Sequence, residues 1–252
     1  MKSKFLPLVL FMSATNLAHA EDSATASDHS ISGSAAVVSK YIYRGAVENN
    51  DVALQLGLDY AHASGISLGY WGSNLDYNPS KEDKDSGFEH NFYVGYGREI
   101  NDDWSYNSQI VAYVYQNSSK VHAENGESRR TAAFELLNEL TYKDLGLGLA
   151  VMLADASFAN AGDVYLSAAY SYALPQDFSL NASVGASIFN DNRDDAIVET
   201  TEDFVLSEAK LGVSKEIAAT DLNVSLDYIW AGKDRVGEKF DDQTVLSLTY
   251  SF

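Results

Sequence analysis

The chain has 252 residues, with 17 basic against 36 acidic side chains, no cysteine and three prolines. A net charge of −19 argues against a nucleic-acid partner, because phosphate backbones are held by Lys and Arg. Without cysteine there is no disulfide scaffold, thiolate zinc site or cysteine nucleophile, and a hydrophobic content of 46% is too high for wholesale disorder. At the start of the chain, Lys2 and Lys4 form a positive n-region, residues 5–12 (FLPLVLFM) an apolar stretch, and Ala18-His19-Ala20 a small-x-small cleavage site. This order is that of a secretory signal peptide, with cleavage expected near Ala20. Removal of the leader takes two bases and no acid, so the mature chain is more acidic still. Residues 21–31 are polar and aperiodic and read as an N-terminal tail, leaving 32–252 as one domain. No apolar run after the leader approaches the ~18 residues of a spanning helix. A membrane crossing, if there is one, must be made by strands.

From residue 32 onward the dominant period is two. Leu54, Leu56, Leu58 and Tyr60 share one face, while Ala53, Gln55, Gly57 and Asp59 share the other. Residues i and i+2 lie on the same side of a strand, so this is a half-buried strand and not a helix. The pattern predicts twelve strands, near 33–44, 53–62, 65–76, 88–100, 104–116, 132–143, 145–156, 163–174, 177–189, 203–215, 221–231 and 243–252. Each is close to the ~9–11 residues a tilted strand needs to cross a bilayer. Pro79 and Pro175 fall between strands, where their missing N–H costs nothing. Connections alternate between longer polar loops, such as NSSKVHAENGESRR, and short turns, such as NDD and KD. Short periplasmic turns and longer outer loops are expected of an outer-membrane barrel.

A soluble β-sandwich shares the alternation, and three features weigh against it. The apolar faces are nearly free of charge in mid-strand. Aromatic residues gather at strand ends in two belts: Tyr60, Tyr96, Trp104, Tyr106, Tyr142, Tyr172, Phe178 and Tyr250 on one rim, and Tyr41, Tyr43, Tyr70, Phe88, Phe134, Phe204, Tyr228 and Trp230 on the other. Such belts suit the two water–hydrocarbon interfaces. The chain also ends in VLSLTYSF, an amphipathic strand closing on Phe252, which resembles a sorting signal for barrel-insertion machinery. The expected fold is all-β: a single transmembrane antiparallel β-barrel of about 12 strands, in a Gram-negative outer membrane, with both termini periplasmic.

The opening strands resemble the TorF-family porins. The resemblance rests on Tyr43-Arg44-Gly45, Asp59-Tyr60, His62, Ser64-Gly65 and Trp71-Gly72-Ser73-Asn74, with F-Y-V-G-Y at 92–96 fitting the family's next strand. It is close over the first quarter of the mature chain and elsewhere lies in strand layout. It implies an outer-membrane, porin-like barrel and no particular substrate or functional residue.

If the apolar face meets lipid, the other face lines the lumen. On it fall Lys40, Arg44, Gln55, Asp59, Trp71, Glu89, Asn91, Glu135, Glu139, Glu208, Lys210, Asn223 and Asp227. Charges there need water or ion pairs. One arrangement pairs Lys40 and Arg44, on the first strand, with Asp59 across the first hairpin and closes the barrel as an anchor. The other is a narrow aqueous path with an excess of acid, suited to cations or small neutral solutes. Inward glycines (Gly57, Gly69, Gly95, Gly97, Gly146, Gly148 and Gly185) leave room for it, or ease barrel curvature. Arg44 is expected at the outer mouth, against an anionic solute group or in an ion pair at the rim.

Passive diffusion of small hydrophilic solutes or ions is the expected activity, without catalysis or cofactor. A structural or adhesive barrel is one alternative. A surface lipid hydrolase is the other, since His90 lies on the apolar face, but three convergent groups are required and no serine is evident beside it. Residues 191–195 carry carboxylates but lack the glycine and final glutamate of a calcium loop. No phosphate loop, dinucleotide fingerprint or zinc motif is present. The partners expected are outer-membrane lipids and lipopolysaccharide, small solutes or ions, and the insertion machinery.

Overall fold

The computed structural model describes residues 27–79, 86–116, 119–191 and 197–252. The signal peptide, the first part of the polar tail and most of the 191–195 carboxylate run lie outside the described residues. In chain order the strands are β1 (His29–Val38), β2 (Tyr41–Tyr43), β3 (Ala46–Asn49), β4 (Ala53–His62), β5 (Ile66–Leu75), β6 (Gly87–Asn101), β7 (Trp104–Tyr115), β8 (Lys120–His122) and β9 (Ser128–Arg130). They continue as β10 (Ala133–Tyr142), β11 (Leu145–Met152), β12 (Val164–Ala173), β13 (Phe178–Ile188), β14 (Phe204–Ile217), β15 (Leu222–Ala231) and β16 (Gln243–Ser251).

Twelve of these strands form one closed antiparallel barrel in the order β1-β16-β15-β14-β13-β12-β11-β10-β7-β6-β5-β4. The seam joins β1 to β16 from Ser34↔Ser251 to Val38↔Ser247. Below it the backbones of Gly33 and Phe252 exchange hydrogen bonds of 2.9 and 3.0 Å. Closure leaves no strand edge unpaired, which a bilayer requires. β1 begins and β16 finishes at one end of the barrel; the longer loops lie at the other.

Packing is inside-out relative to a water-soluble protein. Leu54, Leu56 and Leu58 are each more than half exposed, whereas Glu135 is 1% and Asn91 0% exposed. An apolar belt outside and polar side chains within is the arrangement of a membrane barrel. Most of the rim aromatics face outward; the Trp104 and Tyr142 rings lie tilted against each other at 4.6 Å at one end, and Tyr228 meets Trp230 edge-on at 4.9 Å at the other.

The first strand departs from its predicted span. It starts at His29 and stops at Val38, and residues beyond a bend at Ser39-Lys40 turn away from the wall. Tyr41–Tyr43 and Ala46–Asn49 form a separate hairpin with Tyr43 opposite Ala46. Its two turn residues, Arg44 and Gly45, have φ of 51° and 88°. A two-residue hairpin turn with both central residues at positive φ reverses the chain while keeping the strand twist. Tyr41 and Tyr43 therefore leave the outer aromatic belt to which the alternation assigned them. Tyr41 belongs to the buried core, and Tyr43 packs against it. The long loop after β7 likewise holds a small ribbon, β8 paired with β9.

Candidate functional site

The hairpin occupies the lumen near the loop end. Its base is braced on the β5–β6 wall. The Tyr41 hydroxyl donates to Glu89 Oε2 at 3.2 Å, and Asn91 Nδ2 donates to Glu89 Oε1 at 2.7 Å. The Tyr41 ring meets Trp71 edge-on at 5.4 Å. Asn49, 1% exposed, donates to the Asn74 carbonyl at 3.0 Å. Glu48 accepts from the Tyr77 hydroxyl. Burial raises the Glu48 carboxyl from the ordinary carboxylate value, opposed by that hydrogen bond and reinforced by the nearby Asp76.

The tip reaches the opposite wall. Arg44 Nη1 and Nη2 donate to the two oxygens of Glu135 on β10, both at 2.9 Å. A guanidinium fork on a carboxylate fixes orientation as well as position. The Tyr113 hydroxyl on β7 donates to the same carboxylate at 2.7 Å, and Tyr43 donates to Tyr113 at 3.4 Å. The guanidinium is sandwiched, with Cζ 4.3 Å from the Tyr165 ring centroid and 4.7 Å from that of Tyr43. Tyr165, on β12, donates to Glu208 at 2.9 Å. Gly45 lies against β14, where a Cβ would stand 2.4 Å from the Ser207 carbonyl oxygen. The register of β13 against β14 shifts there, between Gly185 and Ala186, so that Ser207 is the extra residue of a bulge.

The inward positions thus separate into two sets. Arg44, Trp71, Glu89, Asn91, Glu135 and Glu208 are joined through the hairpin. Gln55, Asp59, Glu139, Lys210, Asn223 and Asp227 are half-buried and stand apart from it. Asp59 accepts from Tyr93 at 2.5 Å, Glu139 from Thr141 at 3.4 Å and Asp227 from Ser225 at 3.1 Å. Among the described residues, Asp59, Glu139, Lys210 and Asp227 make no ion pair.

The expected pairing of Lys40 and Arg44 with Asp59 does not occur. Lys40 sits at the bend and donates to Asn50 at 2.8 Å and Gln243 at 2.9 Å, while Arg44 is carried away from β4 by the hairpin. Its ion pair lies across the lumen and not at the rim. The room left by glycines is also partly filled: Tyr93 lies over Gly69 and Tyr165 over Gly185. Tyr113 and Tyr165 escaped the sequence reading, which placed Tyr41 and Tyr43 in the outer belt instead. The Tyr-Ile-Tyr-Arg-Gly run was the available signal for a turn. His90 meets the Tyr70 hydroxyl at 3.0 Å and the Phe88 ring at 4.7 Å on the outer surface, with no serine against it among the described residues.

A sequence profile matches residues 22–252, almost the whole chain. The chain belongs to the Gcw_chp family. Members of Gcw_chp are described as bacterial proteins of unknown function. No curated protein matches the chain. Among solved structures it is similar to the KdgM porin, with a TM-score of 0.50 and 9% identity over 88% of this chain and 99% of that one. It also matches OccAB3 of Acinetobacter baumannii (TM-score 0.43, 9% identity, 90% of this chain and 65% of that one). A third match is OmpF of Salmonella typhi (TM-score 0.40, 12% identity, 89% and 97%). At these identities the KdgM likeness establishes the fold and nothing finer.

Proposed function

We propose that the chain is an outer-membrane channel that passes small hydrophilic solutes or ions by diffusion, narrowed by the hairpin near its loop end. One observation carries this reading. Asp59, Glu139, Lys210 and Asp227 face inward, are half-buried and make no ion pair among the described residues. Charges held inside a barrel without counter-charges require water. Ser67 Oγ, Asn91 Oδ1 and Gln109 Nε2, also inward, lack protein partners among the described residues, which fits a wet interior. The inward set of Lys40, Arg44, Asp59, Glu89, Glu135, Glu139, Glu208, Lys210 and Asp227 contains more acids than bases, so the path favours cations or neutral solutes. The porin-like fold and the TorF-like opening strands support the outer-membrane setting. In that setting the leader is cleaved near Ala20, the termini are periplasmic, lipopolysaccharide surrounds the loop end, and the Phe252 strand engages the insertion machinery.

The test is single-channel recording of the refolded chain in a planar bilayer under a KCl gradient. Stepwise conductance with a cation-selective reversal potential is expected, and Glu139→Gln with Asp59→Asn should weaken the selectivity. Silent insertion would instead favour the second reading, a non-conducting structural barrel. The hairpin bound across the lumen by Arg44 and Glu135 is the observation on its side.

A further inference from the structure

Among the described residues, several basic side chains at the loop end have acidic partners: Arg235 pairs with Asp163 at 2.9 Å and Lys239 with Asp242 at 3.8 Å. The β8–β9 ribbon differs. Lys120 lies directly opposite Arg130 on its exposed face. Like charges facing each other across a ribbon repel and weaken it. Among the described residues neither has an acidic partner. Both open onto a cleft of about 480 Å³, whose wall also includes Arg129, Ser128 and Phe134. Two acids, Glu127 and Asp155, share the wall, and Asp155 lies 3.9 Å from the buried Arg129. Phe134 is the second residue of β10, outward-facing and 42% exposed, at the loop-end rim of the apolar belt. The cleft thus sets Lys120 and Arg130, neither in a salt bridge among the described residues, above an aromatic ring at the edge of the apolar belt.

We propose that this cleft binds the phosphorylated head group of an anionic lipid of the surrounding leaflet, whose acyl chain runs down over Phe134. An anion between Lys120 and Arg130 relieves their repulsion, and each base gives it a charge-assisted hydrogen bond. A free phosphate would use the cations alone; the ring on the membrane side selects an amphiphile. The inference rests on the barrel reading of the preceding section, but on its insertion and not on conduction.

The test uses the full chain refolded into phosphatidylcholine vesicles with or without bisphosphorylated lipid A, with bound lipid measured by native mass spectrometry and by titration. Each of Lys120→Ala and Arg130→Ala should weaken lipid A binding about tenfold, and the double variant more, as loss of charge-assisted contacts predicts. The swap Lys120→Arg with Arg130→Lys should retain binding. Lys143→Ala, at the opposite rim, should leave it unchanged. Equal binding by the double variant would overturn the proposal, as would displacement of the lipid by inorganic phosphate at comparable concentration. A chain that inserts without conducting, yet loses lipid A in the double variant, would sink the channel and leave this site standing.

Discussion

Arg44 combines two costs in one residue. It holds a left-handed backbone, at φ 51°, that side chains other than glycine disfavour, and it takes a cation into the barrel interior. Glu135 offsets the second cost, since its carboxylate is 1% exposed and receives the guanidinium through two bonds. Removing one member of a buried pair leaves the other charge stranded, which typically costs about 3–5 kcal/mol. Arg44→Ala should therefore unseat the hairpin tip, lower the thermal stability of the refolded barrel and raise its single-channel conductance. Arg44→Lys should fall between, because an ammonium cannot reproduce the fork. Gly45→Ala supplies the charge-neutral counterpart: its Cβ would meet the Ser207 carbonyl at 2.4 Å, so it too should displace the tip and raise conductance, with no charge removed from the chain. Unchanged conductance in both variants would mean that the tip does not narrow the path.

At the scale of the element, the hairpin is a separate body attached to the wall at both ends. Burial raises its Glu48 carboxyl from the ordinary carboxylate value, so the seated state favours the neutral form more than the unseated state does. A raised value stabilises the seated form fully below the ordinary carboxylate value, and that contribution is lost as pH rises through the shifted one. Gating noise should then grow with rising pH across that window, and Glu48→Gln should flatten the dependence; noise that falls with rising pH in the parent chain would contradict this. The element also marks where the sequence was hard to read. The β4 strand and eleven others announce themselves by alternation over most of their length, because one side meets an apolar medium and the other a polar one. Tyr41, Ile42 and Tyr43 continue the alternation of β1, so period alone runs across the bend at Ser39-Lys40. What distinguishes them is the Arg-Gly turn, which is a weaker signal than Asn-Gly because Arg rarely adopts positive φ. Inward-facing residues were legible one by one from their side of the strand. Their partners were not: Arg44 and Glu135 are 91 positions apart, and only barrel closure brings them together.

For the whole molecule, the polar interior is uneven along the barrel axis. The hairpin contacts cluster near the loop-end starts of β6, β10 and β12, at Glu89, Glu135 and Tyr165. The unpaired Asp59, Glu139 and Asp227 belong to the remainder of the lumen. On the proposed channel reading, a constriction set toward one mouth, with an excess of carboxylates on the other side, would make the two directions of ion flow inequivalent. Oriented insertions should accordingly give an asymmetric current–voltage curve, and replacing residues 40–50 by a short Gly-Ser turn should make it more symmetric and the current larger. A symmetric curve in the parent chain would place the resistance elsewhere.

The position of the hairpin in the chain has a consequence for assembly. It follows β1 directly, yet its tip is received by β10, β12 and β14, which are translated much later, and β16 closes the seam against β1. A hairpin that hangs from the open mouth can enter the lumen before or after the circle shuts. A hairpin seated first would act as a mandrel, with later strands winding around it and the Arg44 contacts giving the winding sheet a radius to match. Weakening that inner form should slow barrel closure and increase the share of chains trapped with β16 unpaired.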